Sequence, residues 1–597
     1  MKKRVADIVV DTLLELGIDE TFCVVGGGAM HLNNAFEIND KMHITFCHHE
    51  QACAFAAEGY AKYSGKMACV SVTAGPGGVN ALNGVYSAYV DYTPMIVIAG
   101  YPRYETATPC TGLNLRCRGV QEFDIVNTVK TMTKYSKLVL EPKEIKAEIA
   151  KAYKIALEGR RGPVWLSIPL DVQASLIDDE ELADCDFSPL GNTLDREVLV
   201  KICQEIKNAK RPCILTGTGI RYGDAVKEFI QFKEKVMIPV VGSSLNPDLL
   251  PMGTELYYGT SGSCGPRAGN YILQNADLIL VLANSLSTKQ TGFNVSLFAP
   301  KAKFIMVDAE LDETKKPSLH IDMPVQSEIK AFFNQYNDVI TETIEADSKW
   351  IAYCDSVYKF FENKDMPSSE GSNRVYSKIF GHTLMDKLPK KCSIALGNSS
   401  CVGSVLSYGV HDDSQRVIVN YNAGSMGDDL PEAIGMAIAS KNPVYCYTGD
   451  GSLMMNLQEL ETIKYNKLPI KVIVFSNNGY GAIRNTCKNF FNGKFTGCDS
   501  DSGIDFPNFS KVADAFGYKY FSCGNNTEIS TVLDSFISYD GLAFLEVQQE
   551  FVDPVIPRVM SKMDANGKFT TPSLLDMYPY ISDDEAEKLQ AMIYWNK

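Results

Sequence analysis

The residues best suited to chemistry lie between Val444 and Arg484. An apolar run, Val444–Thr448, ends in Gly449-Asp450-Gly451, and a second, Lys471–Phe475, ends at Asn477-Asn478. Leu457, Leu460 and Ile463 fall at helical spacing between them. The segment therefore reads as strand, helix, strand, with parallel strands and a right-handed connection. Both motifs then leave the same edge of a sheet, at the carboxyl ends of strands, where open α/β sheets place their ligands. A carboxylate at one exit and an amide at the other suit a hard divalent cation whose shell is completed by phosphate oxygens, and the glycines let backbone approach closely. A lone Gly-Asp-Gly is most often a turn. The separation of 27 positions between Asp450 and Asn477, and the ending Asn-Asn-Gly-Tyr-Gly, make the pattern more specific. What this stretch lacks is a catalytic acid.

The elements that must position such a site are numerous. At 597 residues the chain is too long for one core, and about 150 residues per domain suggests three or four. An apolar content of 45% and a charged content of 22% are those of an ordinary globular protein. A net charge of −15 repels phosphates, which argues against nucleic-acid and acidic-membrane partners but leaves a small anionic substrate open. Lys2-Lys3-Arg4 could open a signal peptide, but Asp7, Asp11 and Glu15 interrupt the apolar stretch. Val5, Ile8, Val9, Thr12, Leu13 and Leu16 predict instead an amphipathic helix ending at Gly17. No apolar run approaches the roughly 18–20 residues that span a bilayer. Seventeen cysteines without a CxxC pair read as reduced thiols of a cytoplasmic protein rather than a disulfide framework or zinc site.

Residues 1–175 alternate helical patterns with strands expected at Thr21–Val25, Met67–Val72, Met95–Ala99 and Val164–Ile168. Gly26-Gly27-Gly28 and the loop Ala74–Gly84 could cradle phosphate, though neither fits the P-loop pattern. His48-His49-Glu50 closes a short strand and opens an alanine-rich helix. Glu50 reads as a surface acid complementing the helix dipole, or as a metal ligand with the histidines but no third partner. Residues 111–124 carry Arg116 and Arg118, which suit carboxylate or phosphate anchoring or a solvated loop equally, and Gln121-Glu122. The acidic run from 176 to 190, with Asp178, Asp179, Glu180 and Glu181, reads as a linker. Residues 190–345 form a second unit with strands at Cys213–Leu215, Met237–Val241, Leu278–Leu282 and Phe304–Val307. A polar stretch holding Pro367, Ser368, Ser369, Gly371 and Ser372 leads to a third unit, 372–552, with strands near Ser393–Leu396 and Val417–Val419. The tail, 553–597, carries Pro554 and Pro557. The fold class is α/β, with three doubly wound parallel-sheet domains.

Gly-Asp-Gly followed by Asn-Asn-Gly-Tyr-Gly resembles the diphosphate-binding motif of thiamine diphosphate (ThDP) enzymes. GGGAMHLNNAF, HHEQACAFAAEGYA and AGPGGVNALNGV, in this order, resemble the pyrimidine-binding domain of the acetolactate synthase-like branch. The likeness extends over essentially the whole chain. It implies a pyrimidine-binding domain at 1–175, a central domain at 190–345, a diphosphate-binding domain at 372–552 and a cap at 553–597. By the same resemblance Asp450, Asn477 and the carbonyl of Gly479 hold magnesium, and Glu50 is the catalytic acid. Gln121 faces the reacting end of the cofactor, and Met426 props it into a bent shape; core filling is the alternative for Met426. Gly27, Gly28, Asn80, Asn398, Gly424, Ser425, Gly449, Gly451, Ser452 and Tyr480 would surround the cofactor.

Acetolactate synthases carry FAD in the central domain, but Ala283-Asn284-Ser285 stands where the family has an arginine, which leaves FAD open. The family's active sites lie between subunits, implying a homodimer or a dimer of dimers. The implied reaction decarboxylates a 2-keto acid, pyruvate, and adds the two-carbon unit to a carbonyl acceptor, a second 2-keto acid or a keto-sugar. Arg484 is followed by Asn485-Thr486-Cys487 without the tryptophan of the biosynthetic enzymes, so the acceptor stays open. The alternatives are a simple 2-keto acid decarboxylase and a non-catalytic cofactor-binding protein.

Overall fold

Strand propensity and apolar runs of four to seven residues produce three six-stranded, all-parallel sheets. The computed structural model describes all residues except 1, 184, 186–192, 318, 363, 369–371, 552, 554, 564–568 and 593–597. The first sheet contains β1 (Glu20–Cys23), β2 (His43–Phe46), β3 (Ala68–Val72), β4 (Met95–Tyr101), β5 (Tyr135–Leu138) and β6 (Val164–Pro169), in the order β2-β1-β3-β4-β6-β5. The second contains β7 (Pro212–Thr216), β8 (Val240–Ser243), β9 (Tyr257–Ser261), β10 (Leu278–Leu282), β11 (Lys303–Asp308) and β12 (Met323–Gln326), in the order β9-β8-β7-β10-β11-β12. The third contains β13 (Ser393–Leu396), β14 (Arg416–Val419), β15 (Val444–Gly449), β16 (Ile470–Ser476), β17 (Lys519–Cys523) and β18 (Ala543–Gln548), in the order β14-β13-β15-β16-β18-β17. The first and third sheets thus share one topology, and each reverses direction between its first and third strands. That switch point leaves a crevice at the carboxyl ends. In the third sheet it lies between β13 and β15, the exits of Asn398 and Asp450.

Several expectations change. The run Met237–Val241 is split: Val236–Met237 pairs with Ile344–Glu345, and only Val240–Ser243 enters the sheet. Pro239 lies at the break, where a residue without an N–H cannot continue a ladder. The acidic stretch expected as a linker begins inside a strand, because Leu176–Ile177 pairs antiparallel with Lys3–Arg4. Residues 184 and 186–190 of that linker, Ser369 and Gly371 of the next, and Pro554 of the tail lie outside the described residues. The first helix runs from Val5 to Glu15, and Gly17 ends the turn at φ +77°.

The first and third domains share one apolar core, in which Ala52, Cys53, Ala54, Ala56, Ala57, Val70 and Trp165 meet Leu430, Ile434, Val472 and Phe544. The helices Glu50–Ser64 and Asp429–Ser440 cross there in direct backbone contact. A Cβ on Gly59 would collide with the Glu432 carbonyl oxygen, and one on Gly435 with the carbonyl of Ala56. Two glycine notches therefore key one domain into the other. Beside the crossing, Lys62 is 3% exposed and its ammonium meets three carboxylates: Glu58 at 2.8 Å, Asp91 at 3.0 Å and Glu432 at 3.0 Å.

The tail is held on the middle domain. Arg558–Val559 pairs antiparallel with Met577–Tyr578. Arg267, 2% exposed, donates to the carbonyls of Met577 and Pro579 while gripping Asp365.

Candidate active site

Glu50 stands at the first turn of its helix, after the short strand β2. His49 serves as the cap: its side chain accepts the Gln51 N–H at 3.1 Å, which removes it from the metal reading. Among the described residues no group of three His, Cys, Asp or Glu side chains is placed to hold a metal. Glu50 is 8% exposed, so it is no surface charge. Its Oε2 accepts from Asn80 Nδ2 at 3.0 Å. A Cβ on Gly77 would lie 3.1 Å from Oε1, so the glycine leaves room for that oxygen. Gly28 donates its N–H to Thr73 Oγ1 at 3.0 Å, and a Cβ on Gly100 would collide with its carbonyl, so Gly28 packs the first loop onto the exits of β3 and β4. Gly27 has nothing within 4 Å of where a Cβ would stand. Gln121, at φ +61°, lays its backbone over Gly75, itself at φ +62°. Glu122 ties that loop together by accepting the N–H groups of Thr108, Arg118 and Gly119. Arg118 donates to the Glu105 carbonyl, and both it and Arg116 are exposed, as in a solvated loop.

The third domain supplies the other constellation. The Asp450 carboxylate bridges the exits of β15 and β16: Oδ1 accepts the Gly451 N–H at 2.8 Å, and Oδ2 accepts those of Asn477 at 3.0 Å and Gly479 at 3.2 Å. Burial pushes its pKa up to about 6, against the pull of these backbone donors. Asn477 is oriented from both sides. Its Nδ2 donates to Gln549 Oε1 at 3.0 Å, and its Oδ1 accepts from Arg484 Nη1 at 3.1 Å. A guanidinium only donates, so Oδ1 must face it. Arg484, 5% exposed, also donates to the carbonyls of Asn477 and Asn478. It therefore braces the Asn477-Asn478 loop, a role that its place in the sequence did not disclose. Ser452 accepts from the Gly427 N–H at 2.7 Å and donates to Asp429, holding the Met426 loop against the β15 exit. Asn398 Nδ2 donates to the Ser425 carbonyl at 2.6 Å, and Gly424 turns there at φ +58°. The Tyr480 ring lies over Gly451, where a Cβ would collide with it.

These groups open onto a cavity of about 1010 Å³. Asn398, Met426, Gly449, Asp450, Gly451, Ser452, Asn477, Gly479 and Tyr480 line it; Gly424 and Ser425, expected beside the cofactor, are not among the lining residues. The tail contributes Arg558, Val559, Met560, Met563 and Phe569, residues that no local pattern had pointed to. The residue types fit the expected cofactor: a carboxylate, an amide and a glycine backbone stand together on the lining of one cavity. No described residue of the first domain lines the cavity. The chain therefore carries two separate halves of a site.

The middle domain has a crevice at its own switch point, of about 80 Å³. Arg160 from the first domain crosses it and pairs with Asp308 through two bonds, Nε to Oδ1 at 3.1 Å and Nη2 to Oδ2 at 2.7 Å. The β7 and β10 exits press together, since a Cβ on Gly217 would collide with the Ala283 carbonyl. Asn284 is spent on the Thr216 carbonyl and the Leu286 N–H.

Comparison with known proteins agrees with this architecture. The N-terminal, central and C-terminal domains of thiamine pyrophosphate enzymes match residues 3–127, 199–336 and 397–547. The acetolactate synthase large subunit of Lactococcus lactis subsp. lactis (strain IL1403) is 30% identical, over 92% of this chain and 94% of that protein. The large subunit of acetolactate synthase isozyme 2 of Escherichia coli (strain K12) is 27% identical, over 93% of this chain and 97% of that protein. Acetolactate synthase 2, chloroplastic, of Nicotiana tabacum is 26% identical, over 93% of this chain and 84% of that protein.

Proposed function

Since the chain belongs to the thiamine diphosphate enzymes of the acetolactate synthase-like branch, we propose that it is a carboligase that decarboxylates pyruvate and adds the two-carbon unit to a carbonyl acceptor. The observation that carries this reading is the presence of both half-sites: a buried acid, Glu50, on one, and Asp450, Asn477 and Gly479 gathered at one cavity on the other. Thiamine diphosphate, when bound, supplies the carbon nucleophile and electron sink of the reaction. Asp450 Oδ2, Asn477 Oδ1 and the Gly479 carbonyl would hold the magnesium that carries its diphosphate. Met426 and Tyr480 would support its rings, with Asn398 and Ser452 fixing the loops around them. The Glu50 carboxyl, held by Asn80, would hydrogen-bond to the pyrimidine ring and hold or release a proton there. Gln121, exposed in the single chain, would stand at the reacting end.

Because no described residue of the first domain lines the cavity, we infer a homodimer, or a dimer of dimers, in which Glu50 of one chain meets Asp450 of another. No helix among the described residues is long and apolar enough to cross a membrane, and every described cysteine is unpaired, which supports a cytoplasmic location.

Product analysis tests the reading. With thiamine diphosphate, magnesium and pyruvate, the purified protein should release carbon dioxide and form acetolactate. Acetaldehyde as the sole product would make it a decarboxylase, and no carbon dioxide would end the pyruvate proposal. FAD does not fit the middle domain: its crevice is smaller than the roughly 300 Å³ at which ligand sites begin, and the Arg160–Asp308 pair crosses it. The purified protein should be colourless and release no flavin on denaturation; a stoichiometric yellow chromophore would contradict this.

A further inference from the structure

Of all the described residues that line the active-site cavity, one alone is a cation: Arg558, on the first strand of the tail. Its Nε is buried and has no hydrogen-bond partner, and no carboxylate pairs with its guanidinium among the described residues. The three carboxylates lining the same cavity are otherwise engaged. Asp450 takes three backbone N–H groups. Glu550 accepts from Ser372 Oγ at 2.8 Å and from the Phe551 N–H at 3.1 Å. Asp553 accepts from the Ser377 N–H at 2.7 Å and Gln549 Nε2 at 2.9 Å.

A guanidinium that lines a cavity with no carboxylate paired to it is left to meet an anion that enters there, and its planar fork suits a carboxylate. We propose that Arg558 recognises the carboxylate of the acceptor substrate, which makes the preferred acceptor an anionic carbonyl compound such as a 2-keto acid. This rests on the carboligase reading above and deepens it. The diphosphate would be held by the metal that Asp450 and Asn477 would carry, so a second anion needs a cation of its own. Val559, Met560, Met563, Phe569 and Phe490 form an apolar wall in the same cavity, suited to an alkyl chain behind the keto group. The middle domain offers no alternative cation at Ala283-Asn284-Ser285. Lys289, near the seam, is committed to the Tyr421 carbonyl and ring.

The test uses the full chain with thiamine diphosphate and magnesium, pyruvate as donor, and two acceptors that share an ethyl group on the carbonyl carbon: 2-ketobutyrate, which is anionic, and propanal, which is neutral. Arg558→Gln should raise KM for 2-ketobutyrate about 10- to 100-fold, as expected for losing hydrogen bonds to a charged group. KM for propanal and for pyruvate as donor should stay unchanged, and Arg558→Lys should recover part of the loss. An equal effect on both acceptors would overturn the assignment. So would a rise in the thiamine diphosphate concentration needed for half-activation, which would place Arg558 on the cofactor. A shift in oligomeric state by size-exclusion chromatography would make Arg558 a subunit contact and overturn it likewise. Absence of any ligated product from the parent protein removes the carboligase reading and this inference together; ligation with an unchanged acceptor preference in Arg558→Gln removes the inference alone.

Discussion

Glu50→Gln is expected to bind thiamine diphosphate and magnesium as the parent does and to lose about 100- to 10,000-fold in turnover, the range of a positioned proton-transfer group. The amide keeps the shape of the carboxyl, and its oxygen still accepts from Asn80 Nδ2, now at 3.0 Å from Oε2. The crevice left by Gly77 still admits the other terminal atom. What disappears is the capacity to hold and return a proton. Folding should not suffer, because a buried charge is exchanged for a neutral group of equal size. Calorimetric titration of the cofactor, alongside steady-state rates, separates the two effects. Activity within a few-fold of the parent would show that Glu50 is not the catalytic acid.

Lys62→Met is expected to cost about 3–5 kcal/mol of stability, the range for removing one partner from a buried ionic group. The lysine compensates Glu58, Asp91 and Glu432 where the first and third domains cross, and all four side chains are buried. Without it, three carboxylates share a pocket that water does not reach. The pH dependence follows in sign. Burial already pushes Glu58 up to about 8, with Lys62 pulling the other way. A carboxyl whose folded pKa lies above its unfolded value favours the folded state in acid, and that contribution is lost as pH rises through the folded pKa. Removing Lys62 raises these carboxyls further. The deficit of the variant should therefore be smallest near pH 5 and grow up to and beyond pH 8. Denaturant unfolding at several pH values checks this. An equal loss at every pH would mean that the lysine acts through packing alone.

The parts of the site legible in the sequence are those encoded in one contiguous unit. Asp450 and Asn477 sit at consecutive strand exits, and sheet topology alone brings such exits together. Glu50 could be singled out as an acid at a helix start, but the sequence alone left it two roles. Its hydrogen-bond partner is Asn80, thirty positions away on another helix, and periodicity carries no information about such a pairing. The edge strand β17 escaped because Lys519 and Ser522 are exposed and Tyr520 and Phe521 half-buried, so it shows no apolar run. Arg484 and Arg558 were invisible for a related reason. Each gains its role from partners or neighbours outside its own element, and an isolated arginine in a polar segment reads as a surface charge. For FAD, a missing arginine left the expectation open, and the Arg160–Asp308 pair between two domains is a contact that no local pattern announces.

The grip of Arg267 on the carbonyls of Met577 and Pro579 has a practical corollary for redesign. The strand carrying Arg558 is pinned to its neighbour at Met577–Tyr578, and that neighbour is fastened to the middle domain. A substitution at the Arg267–Asp365 clamp would therefore reach the strand that carries Arg558 without altering any residue of the cavity lining. Mutant libraries meant to retune product spectra would do well to sample that clamp along with the lining residues.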